Sequence, residues 1–298
     1  MDSAARQAPP VSPFDPAQQL PVAVRDVEYR RDGDTPLLVR LYEPEGAGPF
    51  PLLLDVHGGA WNSNDRTANE PMARALASSG LVVAAVDFRQ APAYQYPTAL
   101  QDIHYAIRWL KAHAAEFRAD ARRMGALGTS SGGHLALLTA MRPTDPRYAA
   151  LPLPEAPTLD ARLAYVIACW PIVDPYARYE FARETNRPEL MARSEAFFGS
   201  FDAMREGNPQ GLLDRGEPVE LPPVLVIQGT NDNNISVAIV QRFVDRYRAA
   251  GGDIALELFE GQPHGFGNQG TEAAQRAIAQ MKAFIARQVA PAPAQAAG

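Results

Sequence analysis

Cysteine is almost absent from this chain of 298 residues. The one cysteine, Cys169, has no partner for an intramolecular disulfide, and its isolation excludes Cys₂His₂ and Cys₄ zinc sites. Basic residues are outnumbered, 28 against 34 acidic ones, which gives a net charge of −6. Nucleic-acid binding needs a basic surface that displaces counterions from phosphates, so we expect no nucleic-acid partner.

Long apolar runs are missing as well. No stretch approaches the ~18 uninterrupted apolar residues of a membrane-spanning helix, so we expect no membrane association. The first twenty residues have no apolar segment of the kind found in secretory signals, and we therefore expect a cytoplasmic protein. Hydrophobic residues still make up 46% of the chain, which is enough for a full core and excludes global disorder.

Prolines are frequent at both ends of the chain, and this predicts where the folded body begins and ends. Proline removes a hydrogen-bond donor and blocks helices. We therefore expect a flexible N-terminal segment at 1–20 and a flexible tail at 291–298, with one domain spanning 21–290.

Within the body, short apolar runs alternate with amphipathic stretches. Residues 22–30 and 37–44 alternate apolar and polar side chains, as half-buried strands do, and predict an antiparallel opening. Most later runs are rich in leucine and β-branched residues, as in strands covered on both faces; the runs are 51–57, 81–88, 121–128, 163–170, 223–229 and 254–260. Helical patterns lie between them, at 70–79, 98–118, 131–141, 236–250 and 271–288. This alternation predicts a mostly parallel α/β sheet with helices on both faces.

One segment, at about 171–221, interrupts the alternation. It is too long for a plain connection and contains helical stretches such as PYARYEFARE and PELMARSEAFFGSF. We predict an inserted helical cap over the carboxyl ends of the strands, where open α/β sheets bind ligands.

The pentapeptide Gly-Thr-Ser-Ser-Gly at 128–132 follows a predicted strand and opens an apolar helix. This is the context of the G-x-S-x-G nucleophile elbow, in which a strained turn exposes a serine at a helix N-terminus. Ser130 is the serine that fits, because a centre at Ser131 would need glycine where Thr129 stands. A Gly/Ser-rich turn without catalytic role is the alternative.

The sequence His-Gly-Gly-Ala-Trp at 57–61 follows another predicted strand. Acyl transfer creates an oxyanion that needs donors already in place, and glycines let backbone N–H groups approach it without obstruction. We predict that the N–H groups of Gly58, Gly59 and Ser131 form an oxyanion hole. A tight turn with an incidental histidine is the alternative.

A serine nucleophile needs a base, and the chain contains five histidines: His57, His104, His113, His134 and His264. His264 lies in the loop GQPHGF after a predicted strand, from which an imidazole can reach over the active site, so we predict that it is the base. We expect the other four to lie on or pack within helices or, for His57, to brace its loop.

The third member of a triad orients the imidazole and stabilises its charged form. Asp232 follows the predicted strand 223–229, and the order Ser130, Asp232, His264 is the one expected for this type of site. Asp174 is a rival one strand earlier, and Asp232 could also be a plain turn residue.

Together these motifs resemble the α/β-hydrolase fold serine esterases of the alpha/beta-hydrolase-3 and hormone-sensitive-lipase-like type. The closest resemblance is to the HGGxW subgroup, which includes BD-FAE-like esterases and kynurenine formamidases. The resemblance spans about 51 to 266 and is carried by HGGAW, VDFRQAPAYQYPTALQD, GTSSGGHLALL, QGTNDNNIS and GQPHGF.

The resemblance implies hydrolysis of carboxylic esters of small to medium acyl chain, with no metal or organic cofactor, and pairing of two copies as a homodimer. Trp61, Trp170 and Phe266 follow predicted strand ends and are expected to bind the small-molecule ester substrate. Cap aromatics such as Phe197 and Phe201 either line the same pocket or pack the cap onto the body. Hydrolysis of an aryl formamide and a non-catalytic binding protein stay open as alternatives.

Overall fold

A computed structural model describes residues 14–290, and its secondary structure follows the predicted alternation closely. The strands are β1 (Val22–Asp32), β2 (Thr35–Pro44), β3 (Phe50–Val56), β4 (Val82–Val86), β5 (Ala119–Thr129), β6 (Val166–Cys169), β7 (Val224–Gly229) and β8 (Ile254–Phe259). The helices of the body are α1 (Glu70–Ala77), α2 (Thr98–His113), α3 (Ser131–Met141), α8 (Val237–Ala249) and α9 (Glu272–Val289).

All eight strands form one sheet in the order β1-β2-β4-β3-β5-β6-β7-β8. β1 and β2 pair antiparallel, as does β2 with β4, and every pair from β4 to β8 is parallel. The parallel strands end at nearly the same height, because Val56 pairs with Gly128 and Thr129 pairs with Cys169. The loops after β3, β5, β7 and β8 therefore leave from one edge of the sheet.

Two apolar layers cover the two faces of this sheet. One contains buried side chains of α2, α3 and α8, among them Ile103, Leu135 and Phe243. The other contains side chains of α1 and α9, among them Met72 and Met281. Every residue of α3 is buried, which explains why its sequence is apolar on all sides rather than along one stripe. The predicted α/β-hydrolase architecture, with a mostly parallel sheet between helices, is confirmed.

Four helices lie between β6 and β7, in the segment predicted as a cap: α4 (Pro175–Glu184), α5 (Pro188–Phe198), α6 (Phe201–Glu206) and α7 (Pro209–Asp214). Three of them begin at a side chain that caps the first turn, namely Asp174, Ser200 and Asn208. The sequence patterns identified the regions of α4 and α5 and did not resolve the two six-residue helices.

The N-terminal boundary differs from the sequence-based one. Flexible segments are predicted at 1–20 and 291–298. Of these, residues 1–13 and the whole tail at 291–298 lie outside the described residues. Residues 14–20 contact the body: Asp15 N–H donates to Ser79 O at 3.1 Å, and Leu20 N–H donates to Ser78 O at 2.7 Å. Phe14 packs against the apolar layer of α1 and α9. The segment has a turn at 16–17 and lies against the end of α1.

Across residues 14–290, no helix combines the length and the apolar character that crossing a bilayer requires.

Candidate active site

A sharp turn between β5 and α3 presents Ser130. Its backbone adopts φ 53° and ψ −117°, a strained conformation that non-glycine residues seldom occupy. The flanking glycines are required by close approach: a Cβ at Gly128 would lie 2.5 Å from Gly132 O, and one at Gly132 would lie 2.0 Å from Val56 O. The turn therefore has the tight geometry expected of a nucleophile elbow.

Three side chains from separate loops meet at this turn. Ser130 Oγ lies 2.9 Å from His264 Nε2, and His264 Nδ1 lies 2.8 Å from Asp232 Oδ2. Because the carboxylate accepts the Nδ1 proton, Nε2 is left as the acceptor for the serine hydroxyl. The structure thus brings together the three residues predicted as a triad, in a geometry suited to proton transfer from Ser130.

Asp232 is fixed by more than the histidine. Its Oδ1 accepts the backbone N–H groups of Asn234 and Ile235, at 2.8 and 3.0 Å, and Gln228 Nε2 donates to Oδ2 at 3.0 Å. Burial alone raises the pKa of Asp232, but the hydrogen bond and charge of His264, with the two backbone donors, hold the pKa below its usual value. The side chain is fully buried and stays a carboxylate able to orient the imidazole.

The rival aspartate, Asp174, has a different task. It caps α4 by accepting from Ala177 N–H at 2.9 Å, and Asn208 Nδ2 donates to the same oxygen at 2.8 Å. Both contacts are structural, and Asp232 is the carboxylate that meets the histidine.

The oxyanion loop, residues 57–64, departs from the prediction by one residue. Gly58 N–H donates to Thr129 Oγ1 at 2.9 Å, so it is already engaged and cannot serve as an oxyanion donor. The N–H groups of Gly59 and Ala60 have no acceptor among residues 14–290, and both residues line the pocket beside Ser130. The candidate donors are therefore Gly59, Ala60 and Ser131, and the inclusion of Gly58 is wrong.

Backbone conformation explains this shift. Gly59, Ala60 and Trp61 adopt φ of 120°, 50° and 64°, so the chain turns away from β3 through three left-handed residues in succession. A Cβ at Gly59 would lie 2.1 Å from Ser63 O, which makes glycine obligatory there. The Oγ of Ser131 accepts Trp61 N–H at 3.1 Å and ties the loop to the first turn of α3.

Trp61 fastens the oxyanion loop to the cap. Its indole N–H donates to His134 Nδ1 at 3.1 Å, and His134 Nε2 lies 2.7 Å from Gly207 O in the cap. Since the indole only donates, His134 is the neutral tautomer with its proton on Nε2. Burial lowers the pKa of His134 to about 4, consistent with that state. The Trp61 ring stacks on Phe197 of α5 with centroids 4.9 Å apart.

A buried polar network supports the loop from below. Asn69 donates from Nδ2 to Asp55 Oδ1 at 2.8 Å, and its Oδ1 accepts from Thr129 Oγ1 at 3.3 Å and from Asn268 Nδ2 at 3.2 Å. Thr129 in turn holds Gly58, as described above. Burial raises the pKa of Asp55 to about 7. No sequence motif marked Asn69 or Asn268, because their partners come from distant parts of the chain.

The pocket above Ser130 has a volume of about 270 Å³. Among the predicted substrate-binding residues, Trp170 lines it, whereas Trp61 and Phe266 do not. Trp61 is 1% exposed and packs under the cap, and Phe266 is fully buried against Trp170. The prediction for these two residues is wrong because positions after strand ends are also the positions that support the loops.

Polar side chains make up much of the pocket wall. They come from the oxyanion loop, the start of α1, α5 and the loops after β7 and β8, and they are Asn64, Asn69, Arg193, Asn234 and Asn268. None of the cap aromatics lines the pocket; Phe197 and Phe198 instead pack around Trp61. The sequence had left this choice open; the structure decides it in favour of packing for Phe197, whereas Phe201 is 45% exposed and contacts Tyr176 and Tyr179 within the cap.

A family comparison agrees with this geometry. The family model described as BD-FAE matches residues 39–246. The chain belongs to the BD-FAE family. The match runs from β2 to α8, so it includes the oxyanion loop, Ser130 and Asp232, while His264 lies beyond it.

This BD-FAE chain is similar in sequence or in structure to several esterases. The probable carboxylic ester hydrolase LipM of Mycobacterium tuberculosis is 30% identical over 67% of this chain and 46% of LipM. The esterase LipC of the same organism is 31% identical over 85% of this chain and 58% of LipC. The chain therefore spans about half the length of the curated relatives it matches. A thermophilic esterase from Thermogutta terrifontis, solved with propionate bound, superposes with a TM-score of 0.71 at 25% identity, covering 90% of this chain and 96% of that one.

Proposed function

We propose that this protein is a serine hydrolase that cleaves carboxylic esters of small to medium acyl chain. The observation that carries the proposal is the chain of contacts from Ser130 Oγ to His264 Nε2, at 2.9 Å, and from His264 Nδ1 to Asp232 Oδ2, at 2.8 Å. The esterase names of LipM and LipC, and of the Thermogutta structure, support the same reaction class.

In the first half of the reaction, Ser130 Oγ attacks the ester carbonyl and His264 Nε2 takes the hydroxyl proton. The imidazolium returns that proton to the departing alkoxide, and the acyl group stays on Ser130. In the second half, His264 activates a water that attacks the acyl-enzyme, and the carboxylic acid leaves with Ser130 protonated again. Asp232 keeps Nδ1 protonated throughout and offsets the positive charge of the ring.

The oxyanion formed in each half needs donors beside Ser130. The N–H groups of Gly59 and Ala60 have no acceptor among residues 14–290, and Ser131 N–H, at the first position of α3, has no intrahelical partner. We assign these three groups to the oxyanion hole. Donors that are fixed in advance need no reorganisation when the negative charge develops, and one of them is typically worth about a hundredfold to a thousandfold in kcat.

The size of the pocket supports the acyl range. Its volume of about 270 Å³ lies near the lower end of typical small-molecule sites. We therefore expect activity to be highest on acetate to butyrate esters and to decline toward decanoate.

Hydrolysis of p-nitrophenyl esters from acetate to decanoate tests the proposal, with wild type, Ser130→Ala and Ser78→Ala side by side. Ser78 lies at the end of α1, away from the pocket, and serves as the matched control. We expect Ser130→Ala to lose at least about a thousandfold and Ser78→Ala to keep wild-type rates. Equal activity of wild type and Ser130→Ala would show that the nucleophile is assigned wrongly.

N-formylkynurenine is assayed in parallel. Its turnover by a wild type that is inert on every ester would replace ester hydrolysis by aryl-formamide hydrolysis. Inertness on both substrate classes would favour a binding protein without catalysis.

A further inference from the structure

Arg193, on α5, differs from the other arginines in the described part of the chain because its guanidinium has no contact partner. Every other arginine there has a hydrogen bond, an ion pair or an aromatic ring under its guanidinium. Arg193 has none of these contacts within residues 14–290. The two glutamates on its own helix are engaged elsewhere, Glu189 with Arg187 and Glu195 with the hydroxyl of Tyr179.

Arg193 is exposed to solvent and is one of the residues in the wall of the pocket that holds Ser130 and His264. Among the described residues that line the pocket, Arg193 is the sole lysine or arginine, and none is an aspartate or glutamate. The carboxylate of Asp232 lies behind His264, fully buried and hydrogen-bonded. The pocket therefore presents one free positive charge and no free negative charge.

A second arginine on the cap side, Arg178, is close enough to Arg193 to be affected by its charge. Arg178 is fully buried and donates to neutral acceptors, among them Asn234 Oδ1 at 2.9 Å. Burial lowers the pKa of Arg178 to about 10; the nearby charges of Arg193 and Arg187 act in the same direction, and those of Asp232 and Glu189 oppose them. An anion beside Arg193 would offset the repulsion between Arg193 and Arg178.

We propose that Arg193 binds a carboxylate of the substrate, so that the site prefers esters carrying an anionic group a few bonds from the scissile carbonyl. This inference rests on the proposed ester hydrolysis at Ser130. A guanidinium matches a carboxylate in geometry and charge, and such a pair is stronger than a hydrogen bond between neutral groups.

Matched pairs of esters test the preference. On the acyl side, the monoethyl esters of succinate, glutarate and adipate are compared with the ethyl esters of the corresponding half-amides, which have the same shape without the charge. On the alcohol side, 3-acetoxypropanoate is compared with 3-acetoxypropanamide. Rates are followed by pH-stat titration. We expect kcat/KM of wild type to favour the carboxylate by at least about tenfold in one series, and that series identifies the side that faces Arg193.

Variants assign the preference to the residue. Arg193→Gln is expected to lower kcat/KM for the carboxylate ester to the level of the half-amide and to leave the half-amide within about twofold. Arg193→Lys is expected to retain part of the preference. Arg183→Gln is the matched control, because Arg183 is an exposed cap arginine that pairs with Glu180 and does not line the pocket. Added salt should reduce the preference of wild type, since it screens an exposed charge pair.

Equal kcat/KM for carboxylate and half-amide esters in wild type would overturn the inference, as would an equal loss on both substrates in Arg193→Gln. Either result leaves the proposed function intact, provided that p-nitrophenyl acetate is still hydrolysed in a Ser130-dependent manner. Loss of that reaction would instead remove the proposed function, and the inference with it.

Discussion

Asp55 offers a direct test of the buried network beneath the oxyanion loop. Its side chain on β3 is 2% exposed, and Asn69 Nδ2 donates to it at 2.8 Å. Burial raises the pKa of Asp55 to about 7, against 3.8 for a carboxyl in water. A difference of roughly 3 units at 1.36 kcal/mol per unit corresponds to about 4 kcal/mol.

The sign of this effect follows from proton binding. The folded protein binds the Asp55 proton more tightly than the unfolded chain, so the carboxyl contributes fully to stability below about pH 4. That contribution is lost as the pH rises through about 7, where the folded state too must release the proton. Asp55→Asn keeps the shape and an acceptor for Asn69 but cannot ionise. We therefore expect the variant to gain stability relative to wild type by about 2.5 kcal/mol between pH 5 and pH 8.

Urea unfolding of wild type and Asp55→Asn at pH 5, 6, 7 and 8 measures this difference. Asp26→Asn is the control, because hydrogen bonds from Arg40 and Arg66 hold the pKa of Asp26 well below its usual value and it does not titrate in this range. The difference for Asp26 should stay constant. A constant difference for Asp55 as well would refute the reasoning, since it would mean that this carboxyl is solvated and ionises normally.

Three other substitutions, with Gly270→Ala as a control for one of them, probe the site and its support. Asp232→Asn should reduce kcat on p-nitrophenyl acetate by about 10⁴-fold, because the amide favours the wrong imidazole tautomer; a loss below tenfold would argue against its role. Gly59→Ala should reduce kcat about a hundredfold or more, since φ is 120° and the new Cβ would lie 2.1 Å from a backbone oxygen. Gly270→Ala, where a Cβ meets nothing within 4 Å, should leave kcat unchanged. Trp61→Phe should lower the free energy of unfolding by about 1–3 kcal/mol in urea, because it leaves His134 Nδ1 without its donor; unchanged stability would contradict that contact.

Chain order made the central site predictable. The residues Ser130, Asp232 and His264 each follow a strand that the apolar pattern identified, and parallel strands bring their carboxyl ends to one edge of the sheet. The glycines at 128 and 132 added a local constraint, because they are required by backbone contacts under 3 Å. These features depend on topology and sterics that short sequence motifs encode.

The oxyanion loop contains a detail that such motifs do not predict, namely which backbone N–H groups are available as donors. Which N–H groups remain available as donors depends on left-handed φ at Ala60 and Trp61 and on the hydroxyl of Thr129, which comes from β5 and accepts Gly58 N–H. A positive φ at Ala60 or Trp61 cannot be predicted from the sequence, because neither residue is glycine. The motif therefore located the loop correctly and misplaced one donor.

The pocket wall was the least predictable part. Arg193 and Asn234 line it from α5 and from the loop after β7, two segments that Arg178 of α4 joins by donating to Leu190 O and Asn234 Oδ1. Strand β5 makes a similar point: its arginine-rich start has weak strand propensity, and only its end, at 126–129, is paired by β6 on one side while β3 pairs on the other.

Covalent labelling tests the central claim most directly. Wild type and Ser130→Ala are each treated with a fluorophosphonate and analysed by intact-protein mass spectrometry, followed by peptide mapping. The contacts of Ser130 with His264, and of His264 with Asp232, predict one adduct per wild-type chain, on the peptide that contains Ser130, and none on the variant. An unlabelled wild type, or equal labelling of the variant, would contradict the assignment of Ser130 as the nucleophile.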